Sequence, residues 1–239
     1  MQETVTIKYT LKSAAEDFKV ELVFNKKDFS LVNLKPSGKD WTRLANHKCS
    51  HCPLNEEQSP FCPLASALEI VISQVQNFLS YDKIHAQVEH NNRTVSAYVT
   101  VQQALSSLLG LIIPTSGCPH TVYFRPMSRF HQPFADTEET IYRATSMFLL
   151  SQYFLNRELA CIPPEFSRLE AIYNNVHIVN KNICLRLREV CEDDCCLNAI
   201  VILDMYTVSI NSALKHDLKT LESYFSAYSE DSVLPSTNT

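Results

Sequence analysis

The sequence predicts an α+β fold: an N-terminal four-stranded antiparallel sheet with two helices and a cysteine-bearing loop, followed by a C-terminal helical hairpin or bundle. Three observations predict it. Four N-terminal segments alternate apolar and polar residues with the period of two that a half-buried strand requires. Apolar stripes at helical spacing dominate the second half. The change from one regime to the other falls near Asp136.

Thr4 to Leu11 and Phe18 to Phe24 form the first alternating pair, and the short apolar run Phe29 to Leu34 extends it until Lys35-Pro36-Ser37-Gly38 ends the sheet segment. After Pro63, a residue well placed at a first helical position, Leu64, Leu68, Val71, Ile72, Val75, Phe78 and Leu79 recur at helical spacing. Lys83 to His90 and Arg93 to Val101 make a second hairpin around Asn91-Asn92, since asparagine tolerates the left-handed backbone of a tight turn. A helix follows through Leu105, Leu108, Leu109 and Ile112 until Pro114. Two helices over four strands is the economical packing.

Asp136-Thr137-Glu138-Glu139 has the pattern of a capping box and opens a helix expected to reach Leu159, before Pro163-Pro164 breaks it. Next, Phe166, Leu169, Tyr173, Val176, Asn180, Ile183, Leu187 and Val190 recur at spacings of 3, 4, 3, 4, 3, 4, 3, a heptad seam with one polar member. Glu192-Asp193-Asp194 reads as a turn, and Leu197 to Tyr228 as helix again, packed back on the seam as an antiparallel hairpin. These segments divide the chain into an α+β module at 1–118, a helical module at 119–228 and a disordered tail at 229–239.

The most specific chemistry lies in Cys49, Cys52, Cys62 and Cys118. A Cys-x-x-Cys pair grips a metal from one turn of backbone, and two further cysteines, each followed by a stiffening proline, could complete a tetrahedral sulfur shell. Zn2+ with four thiolates is the simplest occupant, and such a shell is closed and therefore structural. The rival is a [4Fe-4S] cluster, suggested by the prolines after three of the thiols; ferredoxin spacing is not met, because nine residues separate Cys52 from Cys62. His47, His51 and His120 lie close enough in sequence to replace a thiol. Read without function, these are free cysteines in a loop. Cys184, Cys191, Cys195 and Cys196 lack a Cys-x-x-Cys chelate and read as buried thiols.

A second candidate surface is the run Arg125 to Phe134, where Arg129 and His131, with Glu139 and Arg143 one helical turn apart, could hold an anion or form an ion-pair network. No Ser, His and acid arrangement marks a hydrolase, and no carboxylate pair demands a catalytic reading. Only three glycines occur, which excludes a P-loop, a Gly-rich dinucleotide turn and a Gly-x-Ser-x-Gly elbow. With 21 basic against 26 acidic residues and a formal charge of -5, the chain lacks the clustered cations that nucleic acid demands. The longest unbroken apolar runs are far shorter than the roughly 20 residues of a membrane span, and the N-terminus has no signal-peptide pattern. A cytoplasmic location and reduced thiols are the expectation.

The motifs Cys-x-x-Cys-Pro-Leu at Cys49, Cys-Pro-Leu-Ala at Cys62, Gly-Cys-Pro at Gly117 and Arg-Phe-His-x-Pro-Phe at Arg129 resemble a family of uncharacterised bacterial proteins over Trp41 to Tyr153. The resemblance implies a bacterial cytosolic protein and carries no known activity with it. A metal-stabilised protein with a binding or regulatory role is therefore expected, its helical half offering a surface for self-association or for a helical partner. The competing expectation is an iron-sulfur redox protein or enzyme that uses the Arg129 and His131 loop.

Overall fold

The computed structural model describes residues 3–12, 17–33, 38–75, 78–155, 165–191 and 194–228. Strands β1 (Thr4–Lys12), β2 (Asp17–Asn25), β3 (Lys83–His90) and β4 (Arg93–Thr100) form one antiparallel sheet in the order β2-β1-β3-β4. The two hairpins therefore meet through β1 and β3, with Tyr9 opposite Val88 and Leu11 opposite Ala86. Alternation does the sorting: Val5, Ile7, Tyr9 and Leu11 of β1 and Phe18, Val20, Leu22 and Phe24 of β2 are buried, while their neighbours face outward. Asn91 and Asn92 both have positive φ, the two-residue turn that matches strand twist. Among the described residues the run after Phe29 adds a single bridge, Leu31 to Phe24, rather than a strand, and the expected end of that run at 34–37 lies outside them.

Helices α1 (Pro63–Ile72) and α2 (Val101–Thr115) pack on the sheet's buried face within one core. α1 stops earlier than its apolar pattern, because Ser73 and Gln74 turn their side chains back onto the carbonyls of Glu69 and Ile70 and satisfy the end of the helix. α2 is capped by Thr100 and Gln103 in a reciprocal box and carries Pro114 in its last turn. After the short α3 (Arg125–Arg129), α4 (Thr137–Leu155) starts at the predicted capping box, with Glu139 N–H donating to Asp136 Oδ1 at 2.8 Å and Asp136 N–H to Glu139 Oε2 at 2.9 Å. The expected continuation to Leu159 and the Pro163-Pro164 break lie outside the described residues.

α5 (Ser167–Leu187) and α6 (Cys195–Lys215) form the predicted hairpin. The seam is buried inside the chain: Leu169, Tyr173 and Val176 join Ile141, Ala144 and Phe148 of α4 in a second core, while Ile183 and Leu187, with Val179 beside the seam, join the sheet and α1 in the first. Asn180, the polar seam member, donates to Asp204 Oδ1 of α6 at 3.1 Å. The expected single helix to Tyr228 ends at Lys215. Asp217 and Leu218 take left-handed φ, and Leu218 N–H and Asp217 N–H bond the carbonyls of Ala213 and Leu214, the paired closure that terminates a helix even without glycine. A four-residue α7 (Lys219–Glu222) and a 3-10 turn follow. The tail at 229–239 lies outside the described residues.

α6 is long and apolar enough to cross a membrane by length and composition, a feature that the short runs of the sequence do not show because polar residues are interspersed. Cys195, Cys196, Ala199 and Ile200 on one face of it belong to the first core, where α6 lies against α2 and α5.

Candidate functional site

The cysteine loop is pinched at its base. Leu44 N–H donates to Pro60 O at 2.8 Å and Cys62 N–H to Thr42 O at 2.7 Å, so the chain leaves and re-enters at one point. Trp41 anchors that point: its ring is buried and its Nε1 donates to Glu69 of α1, which also pairs with Lys39. Within the loop, Cys52 N–H bonds Cys49 O at 3.0 Å, the tight turn expected of Cys-x-x-Cys. Cys62 is the N-cap of α1 with Pro63 at the first position, as the sequence predicts. Cys118 follows Gly117, whose φ of +97° suits glycine; a Cβ there would lie 3.6 Å from Pro63 Cβ, which sets the turn after α2 directly against the start of α1.

The structure thus brings the four predicted thiols into one neighbourhood. Burial and the charges of Cys62, Cys118 and Cys52 push the Cys49 thiol up to about 12. Burial also raises Cys118, against backbone N–H groups of His120 and Thr121 that are aimed at its sulfur. Among the described residues, no group of three or more His, Cys, Asp and Glu side chains is already arranged as a metal shell. The thiols are near neighbours rather than a formed tetrahedron.

The three histidines are committed elsewhere. His47 Nε2 pairs with Glu189 at 2.8 Å, His120 Nε2 with His51 O at 3.0 Å, and His51 Nε2 with Asn175 O at 3.2 Å. His51 and His120 stack with centroids 3.8 Å apart, and only His51 Nδ1 is buried without a partner among the ring nitrogens of this loop. Sequence reasoning misses the residue that closes the site from above, Arg186 of α5. It is 2% exposed and donates to Trp41 O at 2.8 Å, Arg43 O at 2.7 Å and Leu44 O at 3.2 Å, clamping the loop's base. Its guanidinium lies within electrostatic reach of Cys62, Cys49 and Cys52 as well as Glu189, and burial lowers its pKa. Spacing gives a signal, since Val179, Ile183 and Arg186 share the inward face of α5, but a charge on that face names no partner.

The second predicted surface separates. His131 and Arg143 line a cavity of about 430 Å³ bounded by α2, α4, α5 and α6, whereas Arg129 and Glu139 do not. Arg129 lies over the rings of Phe29 and Phe130 at 5.7 and 5.6 Å. Glu139 is held in its capping box and accepts from Gln132 Nε2 at 2.6 Å. His131 Nε2 meets the hydroxyl of buried Tyr9 at 2.5 Å, and Ser107 Oγ meets the same hydroxyl at 3.0 Å. Burial, helped by Arg143 and His90, lowers the His131 pKa to about 3 and keeps the ring neutral. Cys195 and Cys196 are buried, as their sequence context suggests, whereas Cys184 and Cys191 are only half-buried.

Against known families, residues 5–226 match the domain of unknown function DUF6901. The chain belongs to this family. The DUF6901 match takes in the sheet, the cysteine loop and every helix to α7, well beyond the Trp41 to Tyr153 stretch that carries the motifs. Neither the curated proteins nor the solved structures give a match.

Proposed function

We propose that this DUF6901 chain is a binding protein whose cysteine loop is pinned by one structural Zn2+ held by Cys49, Cys52, Cys62 and Cys118. The observation that carries this reading is Arg186. A buried cation is strongly unfavourable unless something negative lies near it. Among the described residues no carboxylate forms an ion pair with Arg186; Glu189 contributes only at longer range, and its carboxylate is engaged by Asn46 and His47. Four protonated thiols offer no charge. A zinc ion with four thiolates carries two negative charges, and the guanidinium then has its counter-ion. Backbone N–H groups at Cys118 supply the sulfur hydrogen bonds such a centre uses.

With four thiolates the ion has no open coordination position, so its role is to join the loop, the N-terminus of α1 and the turn after α2. Binding then falls to the helical half, through a second copy or a helical partner. Supporting that assignment, Tyr142, Leu149, Leu150, Tyr153 and Phe154 of α4 are exposed. A reducing, cytoplasmic setting suits cysteines that form no disulfide among the described residues. A [4Fe-4S] cluster would satisfy the same charge argument, and metal analysis separates the two.

The test is a pair of variants. Cys52→Ser is expected to lose the metal and lower the melting temperature sharply, while Cys195→Ser, on a buried thiol outside the site, retains full metal content. Equal metal content and equal thermal shifts in the two proteins would overturn the proposal.

A further inference from the structure

Arg143 and Tyr173, which line the cavity between α2, α4, α5 and α6, each keep donor capacity without an acceptor among the described residues. Arg143 enters from α4. Its Nη2 donates to Met127 O at 2.8 Å and Phe130 O at 3.3 Å, while Nε and Nη1 make no hydrogen bond among the described residues. The acid best placed to pair with it, Glu139 one turn earlier, is occupied by Gln132 and by the amide of Asp136. Tyr173 enters from α5, 5% exposed and packed on Phe124 at 5.0 Å, and its hydroxyl has no hydrogen-bond partner among the described residues. Both groups feel each other's field, so they are close within the same chamber.

The unpaired edge of the half-buried guanidinium and the unpaired phenol both line the cavity, and one anionic acceptor would engage both. The remaining wall is mainly apolar, with Ile113, Leu203 and Ile210 among its members. The volume of about 430 Å³ falls in the range of small-molecule sites. We propose that this cavity binds a small organic monocarboxylate, with Arg143 and Tyr173 holding the carboxylate and the apolar walls taking its hydrocarbon body.

A single negative charge fits better than a phosphate dianion. Among the described residues Arg143 is the one cation on the wall, since His131 is neutral at physiological pH, and Asp136 also lines the chamber. The carboxylate would accept from the free edge of the guanidinium, the geometry in which arginine binds best. Nothing in this assignment depends on zinc, because the lining residues include none of the four cysteines.

The experiment is calorimetric titration of the protein as purified with octanoate, decanoate and 4-butylbenzoate, alongside 1-decanol as an uncharged control. At least one carboxylate is expected to bind saturably, and 1-decanol at least about tenfold more weakly, the factor expected for loss of a charge-assisted pair. Tyr173→Phe keeps the ring on Phe124 and removes only the hydroxyl; it is expected to weaken the carboxylate roughly five- to tenfold. Arg143→Met is expected to abolish binding, with circular dichroism confirming the fold, and Tyr173→Phe decides if that variant unfolds. No saturable binding by any of the three acids, equal affinity for 1-decanol, or an unchanged affinity in Tyr173→Phe would overturn the assignment. A metal analysis of the same sample stands apart from every one of these outcomes.

Discussion

Arg186 exerts its effect through three backbone carbonyls and one local field. Replacing it with methionine keeps the bulk but leaves the carbonyls of Trp41, Arg43 and Leu44 without their donor and the sulfur site without its cation. Arg186→Met is expected to lower stability by about 3 kcal/mol and to speed zinc release to a chelator. Unchanged release kinetics would detach Arg186 from the site. His131 supplies a second prediction at this scale. Its folded pKa of about 3 lies below the 6.5 of the free side chain, so between those values the unfolded chain binds the extra proton. Stability therefore falls as pH drops through 6.5, with a slope of at most about 1.4 kcal/mol per pH unit from this group. His90 and His51, also lowered by burial, add to the same trend. His131→Gln is expected to flatten the acid limb of a melting-temperature profile, and a profile parallel to the parent's would count against that placement.

Elements were legible where one periodicity dominated. The strand alternation gave the sheet, the heptad spacing gave α5, and Asp136 with Glu139 gave the start of α4. Boundaries were legible only where backbone chemistry marked them. The end of α6 at Lys215 has no glycine or proline to announce it; Asp217 and Leu218 adopt left-handed φ under tertiary packing, and side-chain bonds from Ser73 and Gln74 end α1 while its apolar pattern continues. At the site, the cysteines were visible because Cys-x-x-Cys and the Cys-Pro turns are local. Arg186 was not, because its partners lie more than 140 positions away in sequence. Tyr173 was visible only as a seam member, since spacing reports burial and not whether a hydroxyl finds an acceptor. The capping box itself is testable: Asp136→Ala is expected to cost about 1 kcal/mol in denaturant unfolding, and no loss would mean the box does not hold the helix.

Across the whole molecule, one core takes in the sheet, α1, α2, α5 and α6, and a second, smaller core gathers α4 with the middle of α5 and the end of α6. α2 lies between the sheet and α6, so the cysteine loop rests on elements from both halves of the sequence. Loss of the proposed zinc is therefore expected to destabilise the molecule as one unit, with near-UV and far-UV transitions shifting together after chelation. Transitions that separate would instead mark two modules. The occupant of the sulfur site decides how the cysteine loop is held. Elemental analysis of anaerobically purified protein, with an absorption spectrum of the same sample, is expected to show about one zinc per chain and no visible band. Iron with sulfide and a band in the blue, or no metal at all, would contradict it.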